Sequence, residues 1–327
     1  MRTFLFLILA FCFSGCAIQD QAPVIITVQG ETIPDNESVW LSHEHVLVDF
    51  IGADSIDSND WNSDTVLQFI MPLFNDLKDY GVDIYVNATP QFLGRDVRLL
   101  QKLSQLTGIQ IITNTGLYGA VNNKYIPQYA YQKTKEELSQ MWIEEFVNGI
   151  EGTGIKPGFI KISVDNRDTL EIIDQKIVAA AALTHLQTGL TIGSHTGKAR
   201  ALWPQIKILK AYGVPLDRFI WIHAQNEDDH TNYLRAAKEG VWISLDGLGW
   251  DTENHLKKLI FAKENHILDR ILISHDAGWF DPQKKIQSIK PYTNIFIKLK
   301  PALMSNGFTE KDWNQLISNN PIKAFSI

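Results

Sequence analysis

The chain of 327 residues contains only two cysteines, Cys12 and Cys16, and both lie near its amino terminus. The rest of the sequence therefore has no pair of thiols that could form a disulfide, which excludes a small disulfide-stabilised scaffold. Stability must come from core packing instead. A hydrophobic content of 45% over this length is ample for a large core, in one big domain or two ordinary ones.

Blocks of basic residues are also missing. Lys and Arg number 30 against 37 Asp and Glu, which gives a formal net charge of −7 at pH 7. Proteins that bind nucleic acid usually carry a basic stripe or patch. The composition therefore argues against nucleic acid as a partner.

The most marked apolar run lies at the amino terminus. Residues 1–15 combine Arg2 with the apolar stretch Phe4–Phe13 and end in Ser-Gly, directly before Cys16. This pattern is typical of a secretory signal, and the run is too short for a confident membrane span. The Ser-Gly-Cys ending resembles a bacterial lipoprotein signal; an ordinary cleaved signal is the alternative. We expect an exported protein that meets the membrane only through a lipid on Cys16, in the periplasm or at the outer membrane.

From Val39 onward the sequence repeats a short β-rich run, a polar loop and a helical stretch. The predicted strands are 39–48, 82–88, 109–115, 158–164, 190–194, 219–223, 241–245 and 271–274. Strands that alternate with helices favour a parallel sheet, and eight such units over about 290 residues match a (β/α)8 TIM barrel of the α/β class. An open doubly wound sheet is the alternative, but the Gly-rich phosphate turn expected after its first strand is missing.

The predicted helices lie near 64–80, 96–106, 134–150, 169–188, 199–212, 228–238, 252–264, 289–304 and 309–319. Residues 16–38 are expected to form a tether and lead-in with a possible short strand at 24–28. Residues 39–327 are expected to form one domain, because no internal boundary, repeat or low-complexity segment interrupts the pattern.

The first predicted strand carries His43 and His45 within an apolar run. Side chains two apart on a strand point to the same face, so the two imidazoles would project side by side and could hold one metal ion. On a helix the same spacing would separate them. The motif alone is weak, because nine histidines in this chain give about 0.25 such pairs by chance. Two hydrogen-bonded core histidines are the alternative.

Further ligand-type residues occur at the carboxyl ends of later strands, where barrel enzymes build their active sites. They are Lys161 on the fourth strand, His195 after the fifth, His223 after the sixth and Asp276 after the eighth. Imidazoles and carboxylates are the usual ligands of Zn²⁺ and similar ions. The shared placement favours a metal centre over coincidence. The remaining histidines (185, 230, 255, 266 and 275) are interpreted as surface, loop or supporting residues.

Lys161 is the unusual member of this set, because an ammonium group has no lone pair to donate. Reaction with CO₂ would convert it into a carbamate, whose two oxygens can bridge two metal ions. The alternative is a strand-end lysine that pairs with Asp165 or with an anionic substrate.

In order and in placement on the strands, this set resembles the phosphotriesterase family of the amidohydrolase superfamily. Further similarity lies in Gly94-Arg-Asp to Thr107-Gly, Asn114-Thr-Gly-Leu-Tyr118, Gly158-Phe-Ile-Lys161 and Asn320-Pro321. The resemblance covers nearly the whole chain after the signal. The deaminases of the superfamily usually hold one metal and lack a lysine on the fourth strand, so Lys161 argues against them.

The resemblance implies a centre of two divalent ions, with zinc expected. His43, His45 and Asp276 would hold the buried ion, and His195 and His223 the more exposed one. Carboxylated Lys161 and a hydroxide would bridge the two. By the same resemblance, Asp276 would accept the proton of the attacking hydroxide, a role that suits a carboxylate. Relatives are often dimers, so a homodimer is one candidate assembly, and the sequence leaves the oligomeric state open.

The family contains organophosphate hydrolases and lactonases. Tyr118 resembles the tyrosine that lines the lactonase pocket, and Asp246 follows the seventh strand as in those enzymes, so the resemblance implies that both contact substrate. Gly247 stands where lactonases for acyl-homoserine lactones usually carry a basic residue, and the loop after it is short. Both features argue against a long-chain lactone.

Relatives that act on phosphorylated sugar lactones tend to carry basic pocket residues. Lys124 and Lys198 are the nearest candidates, although solvated loop lysines are the favoured interpretation. Trp250, Trp279 and Phe280 could stack on a sugar ring or only close the barrel mouth.

The preferred hypothesis is a hydrolase that acts on a small-molecule substrate, a lactone or related carboxylic ester of carbohydrate origin. A phosphoester or phosphotriester hydrolase with the same metal centre is the second hypothesis. A surface lipoprotein that only binds a ligand is the third.

Overall fold

The computed structural model describes residues 22–327, so the predicted signal 1–15 and Cys16 lie outside the described residues. The strands are β1 (Ile25–Thr27), β2 (Gly30–Thr32), β3 (Val39–Leu47), β4 (Val82–Asn87), β5 (Gln110–Ile112), β6 (Asn114–Thr115), β7 (Phe159–Ser163), β8 (Ile192–His195), β9 (Phe219–Ile222), β10 (Trp242–Leu245), β11 (Ile271–Ile273) and β12 (Gly278–Phe280).

The α-helices are α1 (Ser63–Asp79), α2 (Val97–Thr107), α3 (Gln128–Gln132), α4 (Lys135–Asn148), α5 (Ile172–Thr188), α6 (Ala199–Tyr212), α7 (Thr231–Glu239), α8 (Thr252–Glu264), α9 (Lys300–Ser305), α10 (Glu310–Asn314) and α11 (Asn320–Phe325). Two π-helical turns, Ile295–Leu299 and Gln315–Asn319, precede α9 and α11. Short 3₁₀ turns occur at Ser58–Asp60, Gln91–Leu93, Ile150–Gly152, Leu216–Arg218, Ala224–Asn226 and Leu268–Arg270.

Two parallel sheets together form the predicted barrel. One has the order β12-β3-β4-β5, and the other runs in sequence order from β6 to β11. On one side only Thr113 separates β5 from β6. On the other side β11 meets β3, where Ser42 Oγ donates to the carbonyl of Ile273 at 3.1 Å and the Asp276 amide donates to the carbonyl of His43 at 3.2 Å. Eight parallel strand runs therefore close into a ring, and the predicted (β/α)8 fold is confirmed.

The sequence explains the helices that surround the ring. In α1 the buried residues Val66, Ile70, Phe74 and Leu77 recur at helical spacing and face the sheet. Asn62 caps this helix, because its side-chain oxygen accepts the Thr65 amide at 2.9 Å. The strands are buried along their length, as expected for a parallel sheet covered on both faces.

Both ends of the described chain close the barrel at the amino-terminal ends of its strands, which we call the floor. The predicted short strand at 24–28 is β1, which pairs antiparallel with β2 inside the segment expected to be a lead-in. Ile25 is fully buried in the same apolar cluster as Trp40 and Phe325. The Phe325 ring lies 6.1 Å from that of Trp40 and 5.5 Å from that of Phe159. The Ile327 amide donates to the carbonyl of Val24 at 2.9 Å.

The last helix extends beyond its predicted end at Asn319. An Asn-Pro pair usually marks a helix boundary, and Asn320-Pro321 follows the predicted end directly. In the structure a π-helical turn leads into α11, and Pro321 occupies the first turn of that helix, where a missing N–H costs little. Within residues 22–327 no helix combines the length and hydropathy that a membrane span needs.

Candidate metal centre

The strand β3 presents its two histidines to the inside of the barrel. His43 and His45 are both buried, and their ring centroids lie 5.4 Å apart. Glu44, which lies between them in the sequence, accepts hydrogen bonds from residues of the loop after β11 instead. The period of two in a strand therefore produces the predicted pair.

All six predicted ligand residues surround one cavity of about 100 Å³. Its remaining walls come from Val48, Phe50, Leu93, Tyr118 and Trp279. Asp276 Oδ1 lies 3.0 Å from His45 Nε2 and 3.6 Å from His43 Nε2. On the other side the rings of His195 and His223 lie 4.3 Å apart. The barrel thus gathers residues from the ends of five strands into a single site.

Backbone conformation contributes to this convergence. His223, Asp276 and Trp279 have φ angles of 61°, 52° and 72°. Non-glycine residues rarely adopt this left-handed region, and such residues concentrate at functional sites. Two of the three are ligand candidates: His223 directly follows β9, and Asp276 lies in the loop between β11 and β12.

The proton positions of His45 follow from its neighbours. Thr89 Oγ1 donates its single proton to the carbonyl of Leu47 at 3.0 Å. The Thr89 oxygen can therefore only accept from His45 Nδ1, at 2.7 Å. In the neutral imidazole, the form that binds metals, Nε2 of His45 then has no proton, yet it faces the Asp276 carboxylate at 3.0 Å. Two acceptors at this distance repel each other unless a cation lies between them.

The spacing of these acceptors fits a metal ion. Ligand atoms about 2.1 Å from one ion lie about 3.0–3.4 Å from each other at angles between 90° and tetrahedral. The Asp276–His45 and Asp276–His43 separations are 3.0 and 3.6 Å. In addition, His43 Nε2 is buried without a hydrogen-bond partner among residues 22–327. These three residues form a compact group of potential ligands, with one atom from each within 4.8 Å of the others.

Asp246 contacts two of the ligand histidines but does not line the cavity. Its carboxylate is fully buried and lies 2.6 Å from His223 Nδ1 and 3.5 Å from His43 Nδ1. It also accepts the His223 amide at 3.1 Å and Gln225 Nε2 at 3.0 Å. Asp246 was expected to contact substrate. In the structure it follows directly after β10, which ends at Leu245, and it contacts the histidines instead of the cavity. A proton fixed on His223 Nδ1 leaves Nε2 free for a metal.

Glu44 holds the loop that carries Asp276. It accepts the amides of His275 and Ala277 at 2.9 and 3.0 Å, and the Ser274 hydroxyl at 2.8 Å. It also accepts His275 Nδ1–H at 2.7 Å, because His275 Nε2 accepts the Ile295 amide. Sequence reasoning did not single out Glu44. The available signal was a carboxylate inside an apolar strand, since a buried charge requires partners.

Electrostatics favour the ligand forms of His43, His195 and Lys161. Burial, followed by the nearby Lys161, holds the pKa of His43 well below its usual value. Burial, followed by His223 and Lys161, does the same to the pKa of His195. Burial also lowers the pKa of Lys161 to about 8, although Asp246 and Asp276 oppose the shift. Neutral imidazoles bind metals, and a deprotonated amine is the form that reacts with CO₂.

The alternative for Lys161, a pair with Asp165, is not formed. Asp165 accepts the amides of Val121 and Asn122 at 2.8 and 3.0 Å and pairs with Arg167. Lys161 remains inside the barrel, 1% exposed, at the cavity wall.

Residues 24–325 match the model of the family described as "Phosphotriesterase family". The chain belongs to the phosphotriesterase family. Members of this family are hydrolases that depend on two metal ions, so the chain is a metal-dependent hydrolase. The fit of its own residues to metal ions, shown by the facing acceptors and the unpartnered His43 nitrogen, agrees with this assignment.

Similar family members include the phosphotriesterase homology protein of Escherichia coli, 27% identical over 89% of this chain and 99% of the relative. An aryldialkylphosphatase from Saccharolobus solfataricus is 29% identical over 76% of this chain and 82% of the relative. Among solved structures, a mutant of a PTE-like lactonase from Deinococcus radiodurans superposes with a TM-score of 0.82. It is 25% identical and covers 92% of this chain and 99% of its own.

The mouth of this phosphotriesterase-family site is aromatic. Tyr118 places its hydroxyl 2.9 Å from His195 Nδ1, and Trp279 lies edge-on to His45 at 6.1 Å. Trp250 is 59% exposed and packs on Trp279 at 5.5 Å, so it forms part of the rim and not of the cavity wall. Phe280 is buried against Phe69 and does not reach the mouth.

The two lysines considered as basic pocket residues lie in loops, which agrees with the favoured interpretation of them. Lys124 donates to the carbonyl of Phe50, and Lys198 pairs with Asp228 at 2.7 Å; neither lines the cavity. Lys290, which sequence reasoning missed, packs its ammonium group against the Trp250 ring. It reaches the rim because its backbone pairs with that of Gly278.

Proposed function

We propose that this protein hydrolyses a small lactone or related carboxylic ester, of carbohydrate origin, with two divalent ions and a carboxylated Lys161. Zinc is the metal that we expect. The observation that carries the proposal is the convergence of all six ligand-type side chains on one cavity. When bound, such a pair of ions supplies an activated water and polarises the carbonyl of the substrate.

The residues of the chain have separate roles in this proposal. His43, His45 and Asp276 would hold one ion, and His195 and His223 the other, with the Lys161 carbamate between them. Asp276 would also take the proton released by the attacking water. Burial disfavours its ionised form, but the imidazoles of His45, His223 and His43 beside it keep its pKa low. A carboxylate that stays ionised is able to accept this proton.

The shape of the cavity supports a small substrate. Its volume is about 100 Å³, and Val48, Phe50, Leu93 and Trp279 make one wall apolar. The loop after β10 is short, because α8 begins at Thr252. It therefore supplies no channel for a long acyl chain. An aromatic face such as that of Trp279 suits a sugar-derived ring.

Metal content tests the centre. We expect two metals per chain by elemental analysis of wild-type protein supplied with bicarbonate, and fewer in Lys161→Ala. Lys198→Ala is the matched control, since this lysine pairs with Asp228 on the surface. One metal in both wild type and Lys161→Ala would reject the bridged centre.

A substrate screen tests the reaction. Lactones and short esters should be turned over and a phosphotriester should not, with loss of turnover in His43→Ala and Asp276→Asn. The reverse preference would favour the phosphoester reaction, which the aryldialkylphosphatase relative suggests. Unchanged turnover in both variants would reject the catalytic assignment and restore the hypothesis of a ligand-binding protein.

We further propose export, lipidation at Cys16 and assembly into a homodimer. Fractionation of cells that express wild type or Cys16→Ser tests the first two, because only the variant should lose its attachment to membranes. Analytical ultracentrifugation of the soluble variant tests the third. A sedimentation coefficient that corresponds to a single chain would reject the dimer.

A further inference from the structure

A buried carboxylate outside the metal centre has no cation partner. Asp174, at the start of α5, is only 2% exposed, and its Oδ1 has no hydrogen-bond partner among residues 22–327. Arg167 pairs with Asp165 and Glu171, which leaves Asp174 without a salt bridge in the described chain. A hydrogen bond from the Glu171 backbone amide favours the ionised form of Asp174. A buried charge without an opposite charge is still costly, so a cation partner is expected.

Other oxygens converge on the same place. A Cβ built on Gly119 would lie 2.8 Å from Asp174 Oδ1, 2.9 Å from the Ser163 carbonyl oxygen and 3.4 Å from Asn123 Oδ1. Asn123 Oδ1 also lacks a hydrogen-bond partner among the described residues. Its orientation is fixed, because Nδ2 donates to Glu171 Oε2 at 2.9 Å. A flipped amide would turn its oxygen towards that second carboxylate.

The negative charge around Asp174 and the nearby surface cavity suit a divalent cation at this site. Three carboxylates, Asp165, Glu171 and Asp174, share the single guanidinium of Arg167. Asn123 also lines a surface cavity of about 510 Å³, which gives access from solvent. Ca²⁺ accepts carboxylate, amide and carbonyl oxygens in an irregular arrangement. Mg²⁺ requires a strict octahedral geometry, so it fits such an arrangement less well.

We propose that Asp174, Asn123 and the Ser163 carbonyl bind one calcium ion beneath the loop that follows Tyr118. In this loop Val121, Asn122 and Asn123 have φ angles of 63°, 53° and 60°, so three successive residues are held in the left-handed region. The ion would tie this strained loop to α5 and to the end of β7. Waters would complete its coordination, and we expect a Kd of about 10⁻⁴ M, as in extracellular calcium modules.

The test uses full-length, metal-loaded protein at pH 8. Burial raises the pKa of Asp174 to about 7, so its carboxylate is mostly ionised at this pH. Calorimetric titration with CaCl₂ should give one site per chain, and saturating calcium should raise Tm by about 5 °C. Asp174→Asn should abolish both responses. Asp168→Asn is the matched control, because that carboxylate is 81% exposed on the same segment and should respond as wild type does.

Hydrogen exchange locates the ion, since the Val121 and Asn122 amides should exchange more slowly with calcium. Zinc content should be the same in all three proteins, which separates this site from the metal centre. No response of wild type to calcium, or an equal response of Asp174→Asn, would overturn the proposal. A third result would also overturn the proposal: wild type is insensitive to calcium at pH 8, and Asp174→Asn is more stable than wild type. This result would indicate a proton shared between Asp174 and Asn123.

Discussion

At the scale of single residues, the centre depends on side chains that never reach the cavity. Asp246 fixes the tautomer of His223, and Glu44 fixes the loop of Asp276. Both are fully buried carboxylates with several donors each. The imidazoles of His223 and His43 hold the pKa of Asp246 well below its usual value, against the effect of burial. Such supporting groups set the affinity of the ligands they orient.

Asp246→Asn should weaken metal binding. The amide cannot accept both the His223 ring proton and the His223 amide as the carboxylate does, so His223 loses its fixed orientation. We expect metal affinity about 10–100-fold lower, measured by competition with a chelator. Asp228→Asn, at a carboxylate that is 84% exposed, is the control. Equal affinity in the two variants would mean that Asp246 does not support the centre.

Glu44→Gln should loosen the loop that carries Asp276. One oxygen of the carboxylate becomes an NH₂ group that faces backbone or side-chain donors, so buried donors lose their acceptor. We expect a loss of about 2 kcal/mol in the free energy of unfolding, together with lower metal content. Denaturant unfolding and elemental analysis measure the two effects. Exposed Glu144→Gln should change neither, and a fully loaded, stable Glu44→Gln would contradict the role.

At the scale of elements, β12 packs so closely against β3 that no side chain fits at Gly278. A Cβ on Gly278 would lie 1.9 Å from the carbonyl oxygen of His45 and 2.2 Å from Tyr292 Oη. Gly278 also has a φ of 90°. The position therefore requires glycine for both space and backbone conformation.

Gly278→Ala should push β12 away from β3 and move His45. A displacement of about 1 Å in a catalytic centre can cost about 100-fold in rate, so we expect kcat/KM to fall by at least about 10-fold. Gly213→Ala is the matched control, since its φ of 77° is also left-handed but its Cβ would meet nothing within 4 Å. Similar activity in the two variants would show that close packing at Gly278 is unimportant.

Local patterns account for much of these elements. The period of two predicted the faces of His43 and His45 on β3, and α6 and α8 were predicted with the bounds observed, Ala199–Tyr212 and Thr252–Glu264. The interruption at Thr113 was not predicted. It arises because the chain changes partners there, from β4 to β7. Likewise, Glu44 and His275 lie 231 residues apart in sequence, and no local pattern contains such a contact.

At the scale of the whole molecule, stability and chemistry occupy opposite ends of the barrel. The floor is an apolar cluster that includes Ile25, Trp40 and Phe325, whereas the ligands lie at the carboxyl ends of the strands. The eight strand–helix units predicted this polarity, because they specify a barrel. The contribution of β1 and β2 to the floor depends on tertiary packing, which a lead-in rich in turn residues did not reveal.

Ile25→Ala should therefore destabilise the protein without altering its centre. Ile25 is fully buried, so the variant leaves a cavity, and we expect a loss of about 2–4 kcal/mol in the free energy of unfolding. Metal content and kcat should stay at wild-type values under native conditions. Ile33→Ala, at a side chain that is 61% exposed, is the control. A loss of metal in Ile25→Ala would contradict the separation of the two ends.

The hydrogen bond between Val24 and Ile327 brings the two ends of the described chain together on the floor. A short linker between them would allow circular permutation, with new ends opened in an exposed loop. Coupling of either end to a bead or an electrode would direct the aromatic mouth towards the solution, so substrate could reach an immobilised enzyme freely.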